Sequence, residues 1–177
     1  MAETADKTKA SATRESGKVD ALALLEADHR AVEKLFDAFE RAGSDLEAKA
    51  ALAQRACEEL GVHTMIEEEL LYPAAADALP GSDLIDVDEA YVEHYLVKTL
   101  IMRFETLKAG DKGFDATFKV MSELVKHHVE EEEHELFPEL RRSKCDLAAL
   151  GRKIAARKEV LERKLEAVGS RLVGDKT

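Results

Sequence analysis

Tryptophan is absent from this chain, and proline occurs only three times and cysteine only twice in 177 residues. The two cysteines, Cys57 and Cys145, fit neither a zinc-finger spacing nor a disulfide framework. No apolar run approaches the roughly 20 residues that a bilayer-spanning helix needs. The N-terminus lacks the charged-then-apolar order of a secretory signal. Together these absences point to a reduced, cytoplasmic protein with no membrane segment. Positive charge is short as well: 26 Lys and Arg stand against 37 Asp and Glu, a formal net charge of −11. That balance argues against a nucleic-acid partner, which calls for a basic footprint.

What is present favours helix. Ala, Leu, Glu, Lys and Arg dominate, and the length suffices for one domain with a real core. Residues 1–18 hold almost no large apolar side chains, so nothing there offsets the entropy of ordering, and a flexible tail is expected. From about Asp20, Leu22, Leu25, His29, Val32, Phe36 and Phe39 form one helical stripe. Gly43 ends this helix, and Ser44-x-x-Glu47 reads as a capping box for the next. The second helix is expected from about Asp45 to the low 70s, with Leu52, Ala56, Leu60, His63, Glu67 and Leu70 facing inward and Pro73 near its end. The run from Leu79 to Asp83 reads as a loop. A third helix, capped by Asp86, is expected to reach about Ala109. After the turn from Gly110 to Gly113, a fourth carries Phe114, Phe118, Met121, Val125, His128, Glu132 and Leu136 on one face.

Short connections between amphipathic helices predict an all-α fold, an up-and-down antiparallel four-helix bundle over residues 19–141. Residues 142–177 add a C-terminal amphipathic helix and tail. Leu147, Leu150, Ile154, Leu161, Leu165 and Val168 line one side of it, and Arg152, Lys153, Arg157, Lys158, Arg163 and Lys164 the other. Such a helix either packs along the acidic bundle or serves a partner, including a second copy in a homo-oligomer.

The bundle is built twice. A shift of 65 residues places His29 on His94, Phe39 on Phe104, His63 on His128, Glu67 on Glu132, Glu68 on Glu133, Leu71 on Leu136 and Pro73 on Pro138. A constant offset over that span is an internal duplication, each unit being a His followed 34 residues later by His-x-x-x-Glu. Four-residue spacing puts each His and Glu on one helix face. Six polar residues thereby fall on core stripes: His29, His63, Glu67, His94, His128 and Glu132. A lone buried carboxylate would be costly and would protonate, so two of them at matched positions, each beside imidazoles, point to cations between them. Pseudo-twofold symmetry would set two metal positions side by side, with two histidines on each and the carboxylates bridging. Cysteine-poor, nitrogen-rich donors disfavour structural zinc and exclude magnesium or calcium as natural choices, leaving iron ahead of manganese. His127 and His134 lie outside the repeat register, and Glu26-x-x-His29 and Glu131-x-x-His134 do not survive the shift.

Asp28-His29-Arg30, His63-x-x-x-Glu67-Glu68-x-x-Leu71-Tyr72-Pro73, Glu93-His94 and His128-x-x-x-Glu132-Glu133-x-x-Leu136-Phe137-Pro138 resemble the hemerythrin-like HHE cation-binding domain. The resemblance covers about residues 20–141. It implies a non-haem centre of two iron ions joined by an oxo or hydroxo group, with Glu67 and Glu132 as bridging carboxylates and His29, His63, His94 and His128 as terminal ligands. Manganese or zinc is less favoured. One departure stands out: where oxygen-carrying members have a fifth histidine, one turn before His94, this chain has Ala90. Tyr91, on roughly the same face, is then a candidate additional ligand, or else a core tyrosine bonded elsewhere. The expected function is binding or sensing of O2, NO or peroxide. An enzyme consuming peroxide or defending against nitrosative stress, and a metal-stapled interaction module using the C-terminal helix, are the alternatives.

Overall fold

The computed structural model describes residues 20–81 and 85–174, with side chains for 20–81 and 87–167. The expected N-terminal tail, the second half of the Leu79–Asp83 loop, the cap at Asp86 and the inward position of Val168 lie outside these. The described chain is helical throughout: α1 (Ala21–Arg41), α2 (Leu46–Ile66), α3 (Tyr72–Ala78), α4 (Ile85–Phe104), α5 (Phe114–Glu131), α6 (Phe137–Arg142) and α7 (Leu147–Gly174). Between α2 and α3, and again between α5 and α6, the backbone does not break. Each junction is a single wide turn, Glu67–Leu71 and Glu132–Leu136. There the amide of Tyr72 bonds back to the carbonyl of Glu67, and that of Phe137 to Glu132, five residues behind instead of four. The second helical rod therefore runs past Pro73 to Ala78, beyond the low 70s that periodicity suggested. Pro73 is tolerated because it sits in the first turn after the wide turn, where its missing N–H is least costly.

The wide turns also reset which residues face inward. An uninterrupted α-helix would carry the inward line from Glu67 to Leu70 and Ala74. With one residue inserted, Leu71 and Ala75 take over, both fully buried, while Leu70 and Ala74 are only partly covered. Leu136 and Leu140 do the same in the second copy. Two other expectations shift for local reasons. The cap of α2 is Asp45, not Ser44, its carboxylate accepting from the amide of Ala48 at 3.0 Å. Helix α4 stops at Phe104 instead of continuing to Ala109. Its end unwinds into turns closed by Asp111, which accepts from the Lys108 amide at 2.8 Å, and by Gly110 and Gly113, whose φ of +94° and +95° suit glycine.

The four rods enclose two apolar clusters with a polar layer between them. One holds Leu22, Leu25, Ile66, Leu71, Tyr72, Phe137 and Leu140. The other holds Val32, Phe36, Phe39, Leu60, Val97, Phe114, Phe118 and Met121, with Phe39 stacked on Phe118 at 3.7 Å between ring centroids. Helix α7 lies across α1 and α2, burying Leu150, Ile154 and Leu161 in the first cluster. Its basic side meets acids on the bundle: Arg157 clasps Glu69 with two bonds of 2.6 and 2.7 Å, and Lys158 bonds Asp28. This is the packed arrangement anticipated for the basic helix. Among the described residues no helix is long and apolar enough to cross a membrane.

Both cysteines are free. Burial, then the nearby charges of Glu58 and Glu105, push the Cys57 thiol up to about 12. Alkylation of Cys57 by iodoacetamide at pH 8 is therefore expected to run at least about a hundredfold slower than that of an unstructured cysteine peptide, rising to the peptide rate only in denaturant. Replacing Ile154, fully buried in α7, by alanine should lower unfolding free energy by about 2–4 kcal/mol in urea titration. A loss under ~0.5 kcal/mol would show that α7 is not docked.

Candidate metal centre

The polar layer between the two clusters is made by the residues the duplication singled out. His29 on α1, His63 on α2, His94 on α4 and His128 on α5 are all buried, as are Glu67 and Glu132 at the starts of the two wide turns. Their nitrogens pair face to face: His29 Nε2 lies 3.1 Å from His63 Nε2, and His94 Nε2 lies 3.1 Å from His128 Nε2. Each carboxylate reaches toward both pairs. Glu67 Oε2 is 3.0 Å from His63 Nε2 and 3.4 Å from His94 Nε2. Glu132 Oε2 is 3.4 Å from His29 Nε2 and 3.7 Å from His128 Nε2.

The outer edge of each ring decides what the inner edge can do. His29 Nδ1–H donates to Glu133 at 2.7 Å, His94 Nδ1–H to Glu68 at 3.2 Å, and His128 Nδ1–H to Glu93 at 2.8 Å. A proton held at Nδ1 leaves a neutral ring with its Nε2 lone pair pointing inward. For the fourth ring the counterpart is Asp28, drawn off by Lys158 to 3.8 Å from His63 Nδ1, too far for a hydrogen bond. The second glutamate of each motif thus orients the histidine of the opposite half. Arg30 and Lys98 neutralise these glutamates from outside, at 2.6 Å from Glu133 and Glu68 respectively.

Two facing lone pairs repel unless something positive lies between them. Protons are one answer. Although burial alone would lower it, the charges of Glu67, Asp28 and Glu132 carry the pKa of His63 up to about 10. That of His128 is likewise raised, burial being outweighed by Glu132, Glu93 and Glu67. Burial works against ionising Glu67, yet His63 and His94 hold its carboxyl well below the usual range. As the side chains stand, Glu67 Oε1 and Oε2 and Glu132 Oε2 are buried with no hydrogen bond of good geometry. A metal ion would satisfy them. Bonds of about 2.1 Å at near-right angles put two imidazole nitrogens about 3 Å apart, the separation found in both pairs. The donor atoms accordingly fall into two overlapping sets, His29, His63, Glu67 and Glu132 on one side, and Glu67, His94 and His128 on the other.

Tyr72 stands beside the second set, a neighbour that spacing alone does not reveal. Its hydroxyl donates to Glu132 Oε1 at 3.0 Å and lies 3.1 Å from His94 Nε2. Burial, then the charges of Glu132 and Glu67, raise its pKa well above the usual phenol value. The sequence signal is an asymmetry between the two copies, since the 65-residue shift puts Phe137 opposite Tyr72. Phe137 instead stacks on His29, 5.9 Å between centroids. Tyr91 stands outside this layer, 40% exposed, its hydroxyl donating to the Glu68 carbonyl at 3.4 Å. The inward position one turn before His94 belongs to Ala90, and Tyr91 is rotated about 100° past it. His127 and His134 also lie outside the layer, on the exposed face.

An antiparallel helical bundle whose two halves present matched His and Glu donors to one buried layer defines a class of cation-binding proteins. The family model for the Hemerythrin HHE cation binding domain matches residues 20–140, and the chain belongs to that family. A crystal structure of a hemerythrin HHE cation binding domain-containing protein from Mycobacterium kansasii is similar, with a TM-score of 0.69 and 25% identity over 90% of this chain and 93% of that one. An uncharacterized hemerythrin-like protein of Schizosaccharomyces pombe is 35% identical over 81 residues, which span 44% of this chain and 39% of that protein's length.

Replacing Glu67 by glutamine should cut the metal retained after dialysis at least tenfold while leaving helical circular dichroism unchanged. Unaltered stoichiometry would mean that the carboxylate charge does not hold the ions.

Proposed function

We propose that this protein holds two iron ions, one between His29 and His63 and the other between His94 and His128, with Glu67 and Glu132 shared. At this centre it binds or senses a small ligand such as O2, NO or peroxide. The observation that carries the reading is the pair of facing Nε2 contacts, together with buried carboxylate oxygens that find no partner among protein groups. Mixed imidazole and carboxylate donors suit iron better than magnesium or calcium, and the absence of thiolate disfavours structural zinc. When bound, iron supplies redox chemistry and ligand exchange.

The chain's own residues shape what can reach the centre. On the side of the imidazoles away from Tyr72, Val32, Val97, Val125 and Val129 border a cavity of about 10 Å³. That is the size of roughly one water molecule, so the space beside the imidazoles suits only a very small ligand and excludes larger substrates. Ala90, in the place of a bulkier ligand, leaves the His94 side less crowded. The orienting carboxylates Glu133, Glu68 and Glu93 hold the protons on the outer ring nitrogens.

A second reading, consumption of peroxide, is favoured by one observation: Tyr72 sets a proton-bearing hydroxyl among the donors, on one side only. An interaction module gains less support, because Leu150, Ile154 and Leu161 of the α7 stripe are buried inside this chain, Leu165 alone among its described residues being exposed.

Iron added anaerobically to the metal-free chain, followed by air, should give two iron ions per chain and near-ultraviolet charge-transfer absorption. Both should be lost in His63→Ala and Glu132→Ala variants. A colourless protein holding two zinc ions in preference to iron would overturn the reading. Tyr72→Phe separates the two functions. Unchanged ligand binding with at least tenfold slower oxygen evolution from peroxide would favour the enzyme, and no oxygen evolution from either protein would favour the binding role.

A further inference from the structure

The two halves of the bundle treat the flanks of the polar layer differently. In the first half, Val62 and Ile66 are buried beneath Leu150, Ile154 and Leu161 of α7, and Asp28 is tied to Lys158. The 65-residue shift carries Asp28, Val62 and Ile66 onto Glu93, His127 and Glu131. The flank that α7 seals on one side is therefore rebuilt on the other from metal-ligating side chains, and among the described residues no helix covers it. His127-x-x-x-Glu131 repeats, one residue out of register, the spacing of the buried His128-x-x-x-Glu132.

These side chains converge. His127 Nε2 lies 3.2 Å from Glu131 Oε1, and each of Glu93, His127 and Glu131 offers a donor atom within 4.8 Å of the others. The His127 side chain is 59% exposed, whereas Glu93 is buried and bonds His128. A cavity of about 40 Å³ runs from Glu93 and Glu131, past Glu89 and Glu135, to His128 and Glu132. At its inner end, Glu132 is 2% exposed and its Oε2 has no hydrogen-bond partner. The cavity is thus bordered by two of the three donors, Glu93 and Glu131, with His127 held beside Glu131, and it reaches a buried carboxylate with an oxygen that lacks a positive partner.

We propose that Glu93, His127 and Glu131 form a separate, solvent-facing site for a divalent transition-metal cation, through which the interior centre is loaded. The proposal rests on the reading that the interior layer binds metal. Three protein donors, one of them an exposed surface imidazole, leave the remaining positions to water, so the ion is held weakly and released readily. Glu93 belongs to both places, being a donor in the outer cluster and the group that orients His128. Four carboxylates around a narrow mouth raise the local cation concentration. A larger cavity of about 810 Å³ opens between α7 and α2, bordered by Val62, Leu161 and Leu165, but it touches none of the six layer residues and brings no cluster of donors to them.

The test is cobalt(II) uptake by the full metal-free chain, read by stopped-flow visible absorption and by equilibrium dialysis. The His127→Ala, Glu131→Gln double variant changes only surface side chains. It is expected to fill the interior layer at least tenfold more slowly, to reach the same two tightly held ions and final spectrum, and to lose a third, weak equivalent that the unaltered chain shows. Glu123→Gln, which removes one exposed charge elsewhere on α5, is expected to load at the unaltered rate. Equal rates for the double variant and the unaltered chain, an equal slowing in Glu123→Gln, or no third equivalent in the unaltered chain would each overturn the proposal. Failure of the interior reading has a different signature: the unaltered chain itself would not reach two tight equivalents, and the loading proposal would fall with it.

Discussion

Everything in this bundle depends on the burial of two carboxylates opposite four imidazole lone pairs. Removed from water, such a layer is unfavourable unless positive charge enters it. Placing it between two apolar clusters prevents water from supplying that compensation. The same low polarity strengthens whatever cation does enter. Stability and cation binding are therefore one problem here, as expected wherever ligands must be brought together by folding.

The wide turns at Glu67 and Glu132 are the backbone's contribution to that layer. An inserted residue shifts the helix phase, so the glutamate points inward from the last ordinary turn while Leu71 or Leu136 resumes the apolar line. Without the insertion, the aromatic residue that follows would rotate away from the layer. The insertion therefore places Tyr72 against His94 and Glu132, and Phe137 flat on His29. Such turns weaken the local hydrogen-bond ladder and are commonly found where side chains must be re-aimed.

Duplication makes the two histidine pairs alike, and three departures make them unlike. Tyr72 faces one pair and Phe137 the other. Asp28 is held off His63 by Lys158, whereas Glu93 bonds His128 directly. Helix α7 covers one flank and leaves the other to Glu93, His127 and Glu131. A centre that began as two copies of one hairpin is thereby given distinct sides, one closed and one approachable.

Much of this was legible in the residues alone. The 3.6-residue periodicity marked the helices, the constant offset marked the repeat, and the six polar residues on apolar stripes marked the layer, because those signals are local and repeat along the chain. Folding decided what depends on a change of phase or on contact across the bundle. The wide turns leave no periodic trace, so the inward line that periodicity puts on Leu70 falls on Leu71, and the tyrosine that reaches the layer is Tyr72. The pairing of Glu68 and Glu133 with histidines of the opposite half joins residues 26 and 104 positions apart. Sequence fixes which side chains are carried on which face of a helix, since that follows from bond geometry within a few residues. Which faces meet, and which flank stays open, depends on how the rods pack, and only the tertiary structure decides that.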